Sequence, residues 1–174
     1  MKDASAYDFI PVSLPIMDQC QEIHHGTSSP WVGVRVAQTF TVGISGLLRL
    51  AELNLEVHGG VGVARLIVMD THEWRPNNVI CRTSAIPVCT GWNAFDLSSM
   101  RIAMTAGRQY AIQLDPLSAC DWRVWLGEGG YEGGALWEQW ADAPWEASTY
   151  AATATFRTYV DQFRSASSPS WGSL

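Results

Sequence analysis

Lysine is almost missing from this chain: Lys2 is the only one, against ten arginines, and charged residues of both signs make up only 16%. A typical globular chain carries roughly 25%, so this surface has little charge with which to keep other surfaces away. Nor do the basic residues cluster, and the net charge is -6. Nucleic-acid binding needs a positive footprint to neutralise phosphate, so that class of partner is excluded. No run approaches the roughly 18 apolar residues of a membrane-spanning helix. The stretch from Met1 to Tyr7, which opens with Lys2 and Asp3, lacks the apolar core and small-residue cleavage site of a secretory signal. This fits either a mature secreted module with an added start methionine or a protein made in the cytoplasm and released otherwise, as virion proteins are by lysis. Catalytic signatures are lacking too, with no Gly-x-Ser-x-Gly elbow and no phosphate loop.

Cysteine is scarce and unpaired by motif. Cys20, Cys81, Cys89 and Cys120 include no Cys-x-x-Cys and no histidine at finger spacing, which argues against structural zinc. Four cysteines permit three pairings. One joins Cys81 to Cys89 across a short loop between neighbouring strands and leaves Cys20 to tie the N-terminal arm to Cys120. The other reading is four buried thiols in a reducing compartment.

What is abundant is tryptophan, nine residues in a chain of 174 that is 47% hydrophobic. That length suits one domain with a substantial core. Leu53, Leu55 and Val57 alternate with Glu52, Asn54 and Glu56, the period of two expected of a half-buried strand. Leu48 and Leu50 are out of phase with that set, and a bulge near Ala51 would absorb the slip. Arg65 to Met69 is apolar on both faces apart from Arg65, as suits a central strand. Alternation recurs at Phe95 and Leu97, at Met100, Ile102 and Met104, at Tyr110, Ile112 and Leu114, and at Trp122, Val124 and Leu126. It returns at Phe156 and Val160 against Arg157 and Tyr159. Strands at spacings of roughly ten residues, with turn signals between them, predict an all-β antiparallel sandwich. Asp70 to Asn78 is dense in turn-formers and reads as a loop. Ala135 to Ala141 fits either a helical turn or a loop-strand-loop.

Four phrases in order carry a resemblance: Ala37-Gln38-Thr39-Phe40-Thr41 with Gly43 and Gly46, Thr90-Gly91-Trp92-Asn93-Ala94-Phe95-Asp96-Leu97, Thr105-Ala106-Gly107-Arg108-Gln109-Tyr110-Ala111-Ile112-Gln113-Leu114, and Phe156-Arg157-Thr158-Tyr159-Val160. Together with Asp18-Gln19, they resemble a jelly-roll β-sandwich module of large bacterial secreted and surface-anchored proteins, over roughly Asp18 to Val160. Such modules sit beside adhesive and carbohydrate-binding modules, so the resemblance implies a non-catalytic scaffold of carbohydrate-binding-module type. The chain departs from it at Tyr131 to Trp137 and Trp140 to Trp145, and it adds an apolar arm and a tail. The organisation expected is an extended arm at 1–17, a jelly-roll at 18–161 and a Ser-rich tail at 162–174.

Phe9, Ile10, Val12, Leu14 and Ile16 sit in a stretch broken by Pro11 and Pro15, which reads as an extended segment lying along a sheet edge or a neighbour. These five are the candidate assembly residues. Tyr131, Trp137, Trp140 and Trp145 with Glu138 are the candidate glycan site, because flat rings stack on sugar faces while carboxylates accept from hydroxyls. Tryptophan is equally at home in a core or a subunit contact. Glu128 with Glu132, or Glu138 with Asp142, could pair as acid and base for glycoside hydrolysis, but a glycine-rich loop holds carboxylates too loosely for catalysis. His24 and His25 point to opposite sides of an extended chain and chelate poorly. His72, Asp70 and Glu73 offer only a solvated loop, at which a structural calcium is the one cofactor to expect; otherwise none is expected, and no metal site is assigned. The expected function is a structural or binding protein on an exterior surface, extracellular or on a virion. It would decorate a capsid or join another surface assembly through copies of itself or shell subunits. The alternative is a secreted carbohydrate-binding module whose aromatic platform mediates adhesion.

Overall fold

The computed structural model describes residues 14–23, 26–28, 34–59, 61–118, 121–128, 131–148 and 152–163. Phe9, Ile10, Val12, His24, His25, Cys120 and the tail from Arg164 lie outside them. Among the described residues fifteen strands run in chain order: β1 Ile16–Gln21, β2 Gly26–Ser28, β3 Val34–Thr41, β4 Gly46–His58, β5 Gly62–His72, β6 Arg75–Arg82, β7 Ile86–Val88, β8 Gly91–Asp96, β9 Ile102–Met104, β10 Gln109–Pro116, β11 Asp121–Glu128, β12 Leu136–Trp140, β13 Glu146–Ala147, β14 Ala152–Ala154 and β15 Phe156–Gln162. A 3₁₀ turn at Ser98–Met100 separates β8 from β9. It takes Met100 out of the strand the alternation suggested and leaves it exposed. No helix among the described residues is long and apolar enough to cross a membrane.

The strands form two antiparallel sheets. In one, β1, β15 and β4 are neighbours in that order, and β8 and β9 pair with β4. In the other the order is β13, β12, β3, β10, β5, β6, with β7 also on β5. Successive strands cross from sheet to sheet as β3, β4, β5–β7, β8–β9, β10 and β11, which is the connectivity of a jelly roll. Ile16 and Met17, assigned from sequence to the arm, are the first residues of β1. Asp18 is the extra residue of a bulge between Met17 and Gln19. The Asp18 carboxylate accepts hydrogen bonds from the main-chain N–H groups of Gly43 (3.0 Å) and Ile44 (2.6 Å). Burial outweighs these bonds and raises its pKa above the ordinary carboxylate value.

Alternation in the sequence fixes the inner faces. Phe40, Leu48, Leu53, Leu55, Leu66, Val68, Phe95, Leu97, Ile112 and Phe156 are all within 3% of full burial, and they interdigitate in one core between the sheets. The predicted slip in β4 is present: Tyr159 opposes Leu50 but Val160 opposes Leu48, so Arg49 is the extra residue that returns Leu48 to the core face. Gln38 is one of the polar residues buried in this core. Its Oε1 accepts from the Ala154 N–H at 2.7 Å, and its Nε2 donates to the Thr39 carbonyl at 2.8 Å. The first bond joins β3 in one sheet to β14 in the other.

β11 and β15 are two halves of one strand. Val124 opposes Leu55 and Phe156 opposes Leu53 on the same side of β4. Between them, Asn54 N–H donates to the Thr155 carbonyl, and Thr155 N–H donates to the Trp125 carbonyl. Residues 125–155 are therefore an excursion from a strand whose ends already meet. On that excursion the chain pairs with β2 and β14, crosses to the second sheet, and adds β12 to the edge of β3.

Two expectations are corrected here. Asp70 to Asn78 is not an open loop: β5 and β6 continue to His72 and Arg75 around a two-residue turn, with Glu73 and Trp74 at φ of 50° and 69°. Asp70 is already engaged, since Asn78 donates to it from its main-chain N–H (2.6 Å) and its side-chain amide (3.3 Å). Among the described residues no three His, Cys, Asp or Glu side chains gather as a metal site. The Cys81–Cys89 bridge does not form, and Cys20, Cys81 and Cys89 are free thiols. β6 and β7 lie end to end along one side of β5, with Cys81 opposite Val68 and Val88 opposite Gly62. Those positions are about 20 Å apart at a strand rise of ~3.3 Å, far beyond the ~7 Å limit between bridged Cα atoms.

Candidate functional site

The excursion decides where the aromatic residues go. Tyr131 turns inward: its ring meets Phe156 edge-on with centroids 5.1 Å apart, and its hydroxyl donates to Gln19 Oε1 at 2.9 Å. Burial holds that phenol well above its ordinary pKa. The chain then passes over the edge of β3 at Gly133 and Gly134. A Cβ on Gly134 would collide with the Thr39 carbonyl oxygen, so glycine is required for the close approach. Beyond it, Ala135 and Thr39 exchange bonds: Thr39 N–H donates to the Ala135 carbonyl, and Ala135 N–H donates to Thr39 Oγ1, both at 2.9 Å.

Having crossed, the chain covers the outer face of the second sheet. Trp137 and Trp145 are each 8% exposed and pack on Ala37, Ile67, Met69 and Ala111. Trp137 Nε1 donates to Thr39 Oγ1 at 3.3 Å, and the Arg75 guanidinium lies 5.9 Å from the centre of its ring. Trp140, at the far end of β12, is half exposed. Glu138 accepts from the Ser148 hydroxyl at 2.7 Å. The five residues proposed from sequence as one glycan platform are thus divided. Tyr131 belongs to the central core, Trp137 and Trp145 to a second apolar cluster, and Trp140 and Glu138 to the hairpin edge.

A different constellation stands on the same outer face. Thr39, Trp74, Gln109, Glu132, Gly134, Ala135 and Trp137 line a depression of about 220 Å³. Of these, Trp74 is 69% exposed. Gln109 Oε1, shielded from water, has no hydrogen-bond partner. Sequence reasoning passed over Trp74 because turn-formers surround it. The available signal was a large aromatic residue in the middle of a turn.

At the β1 edge, Leu14 is 83% exposed, Ile16 44% and Met17 41%, and Phe163 just past β15 is 51% exposed. Ile16 pairs with Val160, which brings Leu14 and Phe163 to the same end of that strand pair. Leu14 and Ile16, the candidate assembly residues that the structure describes, are therefore not buried against their own domain.

On β15, the neighbour of β1, two phrases distant in sequence meet. Arg157 lies 3.9 Å from the centre of the Trp92 ring and donates to Glu22 (2.6 Å) and Glu52 (3.2 Å), and Tyr159 Oη also donates to Glu52. These charges satisfy one another on a sheet surface. Comparison of the chain with protein-family models, with curated proteins and with solved structures finds no match.

Proposed function

We propose that this is a non-catalytic structural protein of an exterior surface, a virion-decoration or surface-assembly protein that docks on copies of itself or on shell subunits through its β1 edge. One observation carries the reading: Leu14, Ile16, Met17 and Phe163 are large apolar residues left exposed at or beside a strand that is outermost among the described residues, with Ile16 on the face of Val160 and Met17 on that of Tyr159. An edge strand offers main-chain donors and acceptors to a second chain, and exposed apolar side chains along it add surface for that chain to cover. The low charged fraction leaves little to repel a partner. Within the excursion, Glu138 is engaged by the Ser148 hydroxyl, and Asp142 faces Arg35 from an exposed position.

The test is the solution mass of the full chain, alone and mixed with candidate shell subunits, for the wild type and for a Leu14→Glu, Ile16→Glu double variant. The expected result is an assembly that the double variant loses at an unchanged unfolding midpoint. A wild type that stays monomeric and binds no shell subunit, or a double variant that assembles normally, refutes the reading.

A further inference from the structure

The turn between β5 and β6 holds a contradiction. Two-residue turns of this hand need positive φ at both positions and favour Asn or Asp followed by Gly. Here the second position, at φ 69°, is tryptophan, a bulky side chain in a conformation that penalises any Cβ. Nothing in folding explains the choice, because the indole is 69% exposed. Strain held at a surface position with no packing return is a mark of function.

What Trp74 faces specifies a chemistry. Trp137, Gln109 and Glu132 line the depression with it. The Trp74 indole supplies a flat, exposed apolar surface, whereas Trp137, 8% exposed, lies mostly within the fold. The polar lining includes two acceptors: the Glu132 carboxylate and the Gln109 carbonyl oxygen, which has no donor of its own. The terminal amide torsion of glutamine is broad, so a modest rotation turns that oxygen toward an incoming group. No Arg or Lys is among the lining residues, Arg75 sits over the Trp137 ring, and the protein carries a net charge of -6. An anionic ligand is therefore disfavoured. The site calls for a neutral ligand with an apolar face and several hydroxyl donors. A depression of about 220 Å³ falls below the ~300 Å³ at which pockets for drug-sized ligands begin, so it admits one ring.

We propose that this depression binds a single pyranose residue of a neutral glycan, stacked on Trp74 and hydrogen-bonded to Glu132 and Gln109. The site is separate from the β1 edge and independent of assembly there. On this reading, Trp74 is kept in its strained turn because the turn places its indole at the depression.

The test uses the full chain and neutral hexasaccharides of glucose, mannose, galactose and N-acetylglucosamine, followed by tryptophan fluorescence and calorimetry. At least one is expected to bind. Trp74→Gly should weaken that binding about tenfold or more, the loss typical of a stacking anchor, with an unfolding midpoint unchanged or raised. Trp74→Asn, which also tolerates positive φ, should behave likewise if the glycine variant folds poorly. Glu132→Gln and Gln109→Leu should each weaken binding, while Trp140→Ala should leave it intact. If no hexasaccharide binds the wild type, the proposal is wrong. It is equally wrong if Trp74→Gly and Trp74→Asn bind as the wild type does, or if binding depends on Trp140 instead.

Discussion

Replacing Gln38 with leucine isolates what one buried polar side chain contributes to holding two sheets together. Gln38 is 2% exposed, and its Oε1 is the acceptor for the main-chain N–H of Ala154. Leucine is close in volume, so the core is not emptied. The N–H cannot be deleted along with its acceptor, because it belongs to the backbone. A buried donor left without a partner costs about 1–3 kcal/mol, and the Thr39 carbonyl also loses the Nε2 donor. The better hydrocarbon transfer of leucine offsets part of this, for a net loss of about 2 kcal/mol. In a domain of this size 1 kcal/mol moves the melting midpoint by roughly 2–4 °C, so the midpoint should fall by roughly 4–8 °C. The urea midpoint should fall with no change in the slope of the transition. A companion variant, Gln38→Glu, keeps an acceptor but buries a carboxyl. That burial raises its folded pKa above the ordinary value of roughly 4.3. Its stability should be greatest in acid, where the carboxyl is neutral, and should drop as pH rises from the unfolded pKa through the folded one. A leucine variant as stable as the wild type would refute the reasoning, because the bond between sheets would then contribute nothing beyond its own desolvation.

Asp18 gives a second pH test. Its folded pKa is raised, chiefly by burial, so the neutral form is favoured in the fold. Its contribution to stability should be complete below the unfolded pKa and should be lost as pH rises through the folded value. Asp18→Asn keeps an acceptor for Gly43 and Ile44, so it should stabilise the protein near neutrality and lose that advantage in acid, as urea titrations across pH would measure. The thiols give the third prediction. In native unreduced protein Cys20 and Cys89 should alkylate quickly. Cys81, half-buried and with its pKa pushed up by desolvation, should react more slowly. Peptide mapping that finds Cys81 linked to Cys89 would refute the end-to-end placement of β6 and β7.

Much of the fold could be read from side-chain parity, because a strand with one buried face records its orientation residue by residue. Leu53, Leu55 and Val57 did so, and the broken phase at Leu48 located the bulge to within two residues of Arg49, where it lies. Parity says nothing of which strands are neighbours. The Cys81–Cys89 pairing failed on that point, since a short link was taken to join strands side by side when it joins strands end to end along β5. The candidate site failed for a related reason. Tyr131 and Trp137 are six positions apart, but Gly133 and Gly134 carry the chain over the edge of β3 between them, so one ring enters the core and the other covers its outer side. The contact of Trp137 with Thr39 spans nearly a hundred residues, beyond the reach of any local pattern. Trp74 was hidden by its neighbours, since a turn-rich composition reports the turn and not which of its residues is aimed at something.

The interrupted strand fixes both ends of the segment inserted in it. Val124 and Phe156 stand opposite Leu55 and Leu53 on one side of β4, while the segment between them supplies Tyr131, Trp137 and Trp145 to the two apolar clusters. Changing the length of that detour costs little, about 0.6 kcal/mol for each doubling of a closed loop. The residues that flank the Trp74 depression, Glu132 to Trp137, all lie on the detour, while Trp74 and Gln109 belong to the framework. An engineer could change exposed positions of the detour, Glu132 among them, and so alter the proposed site while Tyr131, Trp137 and Trp145 keep their places in the two clusters.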